Sequence, residues 1–150
     1  MEKRNQGYTL VELLAVIVIL GILALISILS ITQIIDRSKR QAFVSNAYVL
    51  KDAAQIYVKD TILQGGTIDQ VSYETLVTEE LIEPITDPFT KNPIIASGNP
   101  SFLTVEGDRI TGVCFYGETK VLCASDEEDV SLDKAIAFSE ISSEDVVDKQ

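Results

Sequence analysis

Apolar and polar positions divide the chain into two physically different stretches. From Leu13 to Ile35 there is no charged residue, and 16 of the 23 positions are Leu, Ile or Val. A helix of that length rises about 34 Å, enough to cross a hydrocarbon layer of roughly 30 Å. After the charged step Asp36-Arg37-Ser38-Lys39-Arg40 the pattern changes. Phe43, Ala47, Leu50, Ala54 and Tyr57 recur at spacings of four and three, which sets one apolar stripe along a helix. Gly65 and Gly66 supply a stop, so the pattern predicts helix from Tyr8 to Gln64, roughly 85 Å of it. The stripe predicts contact with the chain's own head, with the outer flanks of the helix left for neighbouring subunits.

The remaining pattern is shorter in period. Ile68 to Ile82, with Val71, Tyr73, Leu76, Val77 and Leu81, predicts a short helix and a connecting loop. All four prolines then fall between Pro84 and Pro100, and Asp87-Pro88-Phe89-Thr90-Lys91-Asn92-Pro93 carries two X-Pro steps that enforce turns. Phe102–Glu106, Arg109–Tyr116 and Val121–Ala124 read as strands separated by Gly107-Asp108 and by the Gly117 turn, an antiparallel meander. If Tyr116 pairs with Val121 across Gly117-Glu118-Thr119-Lys120, Cys114 faces Cys123 on the same side of the sheet. On the outer side of a membrane that pair is expected as a disulfide, worth roughly 2.7 kcal/mol for so short a loop. Two reduced core thiols are the alternative; a redox role lacks the close spacing and helix-start setting that activate a thiol. The fold class expected is α+β, a long N-terminal helix packed on a small antiparallel sheet.

Composition narrows the chemistry. Twelve basic against 23 acidic residues leave a formal charge of −11, which disfavours direct nucleic-acid binding. The chain has no His and only two Cys, so His-based triads, His metal sites and four-cysteine zinc sites are excluded by inventory. No Gly-rich phosphate loop or Gly-x-Ser-x-Gly elbow is present, and the expected head is small for a substrate cleft. No enzyme activity, cofactor or metal is therefore expected; a membrane-anchored enzyme or binding module is the remote alternative. Residues 126–150 hold nine acidic and two basic side chains and are expected as an acidic, flexible tail. Asp126-Glu127-Glu128-Asp129 lacks the spaced pattern of a calcium loop and reads as a plain charge run.

One residue breaks the apolar pattern. Glu12 stands where the run begins, in Tyr8-Thr9-Leu10-Val11-Glu12-Leu13-Leu14. An ionisable group in hydrocarbon needs a named partner. Neither a cleaved secretory signal, whose apolar region is shorter, nor a plain anchor explains it. Charge bias does not orient the span either, since Lys3, Arg4 and the initiator amine are matched by Arg37, Lys39 and Arg40.

Lys3-Arg4-Asn5-Gln6-Gly7, followed by Tyr8-Thr9-Leu10-Val11-Glu12 and the long apolar stretch, resembles the class III signal of type IV pilins and pseudopilins. The resemblance implies a leader, residues 1–7, removed by a prepilin peptidase after Gly7. It implies N-methylation of the new terminus at Tyr8 and an assembly role for Glu12, whose carboxylate lies one helical turn from the Tyr8 amine. Such pilin-like chains are structural. The implied product is a subunit of a type IV pilus-like filament, or alternatively a pseudopilin of a type II secretion or competence DNA-uptake system. Its partners would be identical or related pilin subunits, the peptidase and methylase, and a membrane assembly platform with its motor. The implied location is the cytoplasmic membrane, head outside, and then a surface or extracellular filament. The expected organisation is leader 1–7, membrane and assembly half 8–35, amphipathic half 36–64, loop and sheet head 65–125, and tail 126–150. The Asp-Pro-aromatic run at Asp87 is similar to the loop that precedes the sheet in many pseudopilins and Gram-positive pilins. Where many relatives carry a Pro late in the apolar segment, this chain has Ile28-Leu29-Ser30, so a straighter first helix is expected.

Overall fold

The computed structural model describes residues 9–126 and 129–149, without the side chains of 27–30, 125, 126 and 129–133. A single helix, α1, runs Leu10–Leu63, close to the expected bounds and without a break. The chain divides into two units between Asp36 and Arg37, near the change in apolar pattern.

In the first unit, the described side chains of α1 are all exposed. They include Leu13, Val16, Ile17, Leu20, Ile31 and Ile34.

In the second unit, the stripe foreseen from spacing is the inner face of α1: Phe43, Ala47, Leu50, Ala54 and Val58 are fully buried. Tyr57, expected in the stripe, is only partly buried, and Val58 takes its place. The helix ends in a left-handed cap: Gly65 has φ +83°, its N–H donates to Ile62 O at 2.9 Å, and Gly66 N–H donates to Thr61 O at 2.9 Å. This arrangement satisfies two terminal carbonyls with a residue that carries no Cβ penalty.

Against that face lies a sheet. β1 (Gln70–Ser72), β2 (Phe102–Glu106), β3 (Arg109–Tyr116) and β4 (Lys120–Leu122) form successive antiparallel neighbours. Between β1 and β2 come α2 (Tyr73–Thr78), capped by Ser72 Oγ accepting from Thr75 N–H at 3.0 Å, and the proline-rich connector. β1 was not foreseen, because three residues carry too little alternation to register as a strand. Phe43 stacks on Phe115 with ring centroids 4.8 Å apart, and Tyr73 meets Phe115 edge-on at 6.1 Å. Helix, α2 and sheet therefore share one core.

The largest departure concerns the residues expected as a flexible tail. β5 (Ala124–Asp126) and β6 (Asp129–Lys134) pair as a two-stranded sheet. β7 (Ile136–Ala137) adds to β3, and β8 (Val146–Asp148) adds to β4 as the edge of the main sheet. Ile136 and Val146 are buried in the core, and Arg40 of α1 donates to Val146 O. Lys120 pairs with Asp148 at 2.7 Å on the exposed side. Ile136 and Val146 point inward, while Asp148 lies on the outer side of a short edge strand.

Candidate functional site

The sequence places the candidate site in the first turn of α1 and the uncovered apolar surface that follows. Gly7 and Tyr8, the expected cleavage and methylation residues, lie outside the described residues. Thr9 is the N-cap of α1: its side-chain oxygen accepts from Glu12 N–H at 3.3 Å, and its carbonyl accepts from Glu12 and Leu13 N–H at 3.0 and 3.2 Å. Glu12 is thus the third residue of the helix, and Thr9-Leu10-Val11-Glu12 has the spacing of a capping box. Its carboxylate is exposed and has no hydrogen-bond partner among the described residues. A negative charge in the first turn also complements the positive end of the helix dipole.

After that turn the surface is apolar on every side. Val16, Ile17, Val18 and Ile19 occupy four successive directions around the helix, and each is about half exposed. Interrupting them, Gly21 faces open space, with nothing within 4 Å of the position a Cβ would take. The helix is long and apolar enough to cross a membrane. Bare in water, a surface of this size marks a site for lipid or protein.

In the second unit, Tyr116 pairs with Val121 and Phe115 with Leu122, the register expected from the turn. The next facing pair, Cys114 and Cys123, forms a disulfide with S–S 1.96 Å and Cα atoms 4.3 Å apart. It closes the β3–β4 hairpin beside Tyr116 and Val121.

Sequence reasoning read Asp87 only as part of a turn; the structure makes it the hub of the connector. Asp87 is fully buried. Its Oδ1 accepts from Phe89 N–H at 2.7 Å and Thr90 N–H at 3.4 Å, and its Oδ2 accepts from Glu118 N–H at 2.9 Å. The carboxylate thereby ties the connector to the β3–β4 turn. Gly117 permits it: a Cβ there would sit 2.7 Å from both Asp87 Oδ2 and Phe43 Cε2. The signal available in the sequence was Asp immediately before Pro and aromatic, an arrangement suited to a side chain that caps its own turn. The connector is clamped a second time by the buried Tyr73, whose hydroxyl accepts from Ile85 N–H at 2.9 Å and donates to Ile94 O at 3.2 Å. Burial pushes the Tyr73 phenol above its ordinary pKa, with the Ile85 N–H pulling the other way.

Among the described residues no cluster of three or more His, Cys, Asp or Glu is placed to hold a metal. Glu127 and Glu128, at the centre of the acidic run, lie outside the described residues. An open cleft of the head, about 550 Å³, is lined by Lys51, Gln55, Glu106, Arg109, Thr111 and Phe138 among others.

Residues 3–28 match a family described as the prokaryotic N-terminal methylation motif. No curated protein and no solved structure matched the chain. The motif is the type IV pilin signal, and it supports the type IV pilin and pseudopilin family, a family of structural subunits rather than enzymes. It implies processing by a prepilin peptidase and assembly with other pilin subunits, and with the apolar helix it fits a membrane-anchored protein.

Proposed function

We propose that the chain is a structural subunit of a type IV pilus-like filament. In this reading prepilin peptidase cuts after Gly7, the Tyr8 amine is methylated, and the subunit waits in the cytoplasmic membrane with its head outside. A membrane platform and motor then draw it into the filament. The observation that carries the reading is the methylation motif over residues 3–28, which runs into a helix whose apolar side chains before Asp36 the chain itself leaves uncovered.

The physical sequence of events follows from those parts. Cleavage after Gly7 places a positive amine at Tyr8, one turn from Glu12 and next to the Thr9 cap. In hydrocarbon or in a filament core, a bare carboxylate is costly, and that amine, from the same or a neighbouring subunit, neutralises it. Apolar stems leave lipid only for one another, so close helix packing holds the subunits and the charge pair sets their axial position. The heads are carried on the outside.

Intact mass and N-terminal sequencing of chain recovered from membranes test the reading, in cells with and without the peptidase. A mature chain beginning at methylated Tyr8, formed only when the peptidase is present, is the expected result. Retention of Met1 or Asn5 in both strains would refute it.

A further inference from the structure

The open cleft of the head carries charges that the chain itself leaves unused. Its walls come from the second half of α1, from the end of β2 with the start of β3, and from β7 with the residues after it. Lys51 lines it from α1, with Nζ 4.6 Å from the centre of the Phe138 ring and 5.9 Å from that of Tyr48, contacts that hold the amine without neutralising it. Arg109 lines it from β3. Neither cation has a carboxylate partner among the described residues, although the chain as a whole carries a formal charge of −11. Glu106, paired with Arg109 across β2 and β3, also lines the cleft. Neither its carboxylate nor the hydroxyl of Ser139, a further lining group, makes a hydrogen bond among the described residues. The apolar part of the lining includes Ile110 and Ala137.

Bonds between the walls fix the shape of the cleft. Gln55 of α1 donates from Nε2 to Asp108 O and accepts at Oε1 from Ile110 N–H at 3.4 Å. Phe138 N–H donates to Thr111 O at 3.1 Å, and the Tyr48 hydroxyl donates to Phe138 O at 3.4 Å. Walls already held in place lose little freedom when a ligand binds.

We propose that this cleft binds a sugar acid, as one unit of an acidic polysaccharide. The ligand class follows from the set of groups. Lys51 and Arg109 call for a carboxylate, which a guanidinium meets in bidentate geometry. A phosphate or an acidic peptide would use the two cations and be repelled by Glu106. A ring that carries hydroxyls beside its carboxylate uses every group: its hydroxyls donate to Glu106 and bond to Ser139, and its C–H face covers Ile110 and Ala137. A volume of about 550 Å³ lies within the range of small-ligand sites. The proposal goes beyond the filament reading and requires nothing of processing or assembly.

Titration of the isotopically labelled full-length chain in mild detergent with trigalacturonate, followed by amide resonances, tests it. Saturable shifts at Ile110, Thr111 and Phe138 are expected, and Lys51→Gln and Arg109→Gln should each raise the Kd about tenfold. An unchanged Kd in both variants, with amide shifts elsewhere matching the parent's, overturns the proposal. Glu106→Ala separates sugar from charge. It should raise the Kd about threefold, whereas an unchanged or lowered Kd shows that the cleft reads charge alone and overturns the sugar reading. Triglutamate and inorganic phosphate should each bind at least about tenfold more weakly than trigalacturonate; a match by either overturns the ligand class. No shift at about 10 mM trigalacturonate, or shifts only outside the cleft, overturns the proposal outright while leaving cleavage after Gly7 and filament assembly untouched.

Discussion

Replacing Asp87 by Ala tests whether one buried carboxylate organises the head. The side chain is fully buried and accepts three backbone N–H groups, two at 2.7 and 2.9 Å and one at 3.4 Å. A hydrogen bond to a charged group is worth about 1.5–3 kcal/mol net, so the two short ones represent roughly 3–6 kcal/mol. Removing the charge recovers part of its desolvation cost, while Phe89 and Glu118 N–H are left without acceptors. A net loss of about 3 kcal/mol is expected. For a head of this size that lowers the melting midpoint by roughly 10 °C or more. Asp87→Asn keeps one carbonyl oxygen, which can serve Phe89 N–H or Glu118 N–H but not both, and its amide then faces a donor. It should fall between parent and Ala, near a loss of about 2 kcal/mol. Urea denaturation of the full-length chain in mild detergent, unreduced and followed by the tyrosine near-ultraviolet signal, measures both. An Ala variant within about 0.5 kcal/mol of the parent would show that the carboxylate does not hold the connector.

Four further outcomes follow from the same structure. A chain ending at Asp145 loses β8, the buried Val146 and the Lys120–Asp148 pair, and should be at least about 3 kcal/mol less stable; protease resistance equal to the parent's would restore the flexible-tail view. Gly65→Ala forces a Cβ onto a left-handed cap and should cost about 1 kcal/mol, whereas Glu80→Gly, at a non-glycine cap of φ 55°, should gain about as much; thermal melts separate the two signs. The raised pKa of Tyr73 means the folded state holds that phenolic proton more tightly than the unfolded one. Stability is therefore full below the unfolded pKa of about 10 and declines as pH rises through the folded value, a slope that Tyr73→Phe should flatten in denaturation curves taken between pH 8 and 11.5. Exchanging Cys114 and Cys123 together for Ser should cost about 2–4 kcal/mol, seen as a lower denaturation midpoint matching that of the reduced parent.

What could be read from the sequence was what is encoded locally. The four-and-three spacing from Phe43 gave the inner face of α1, and the four-residue turn after Tyr116 placed Cys114 beside Cys123. Both depend on a period and a nearby stop. β8 depends on neither. Its three residues gain order from β4, more than twenty positions upstream, and from Arg40 of α1, more than a hundred upstream. Acidic composition reports the solvation of the outer side and is silent about two or three inward apolar residues, so it mistook an edge strand for a tail. Asp87 escaped for the same reason. Its turn was legible, but its burial depends on the bond from Glu118 N–H and on the close approach of Gly117, made across the fold.

Glu12 draws these threads together, because one turn of helix gives it two separable roles. Thr9 Oγ1 already satisfies Glu12 N–H, and an acidic group three residues after the cap favours helix initiation whatever the chain later joins. Helix initiation needs an acceptor near the first turn, and Gln supplies one. Neutralising a buried amine needs a formal negative charge, and Gln has none. If Glu12 served only the cap, Glu12→Gln would leave assembly near the parental level and Glu12→Ala would reduce it modestly. If the carboxylate pairs with the Tyr8 amine during assembly, Gln and Ala fail alike, and Asp, which keeps the charge on a shorter arm, recovers part of the loss. Filament yield across Gln, Ala and Asp therefore reports charge rather than capping, provided processing at Gly7 is shown to be equal in all three.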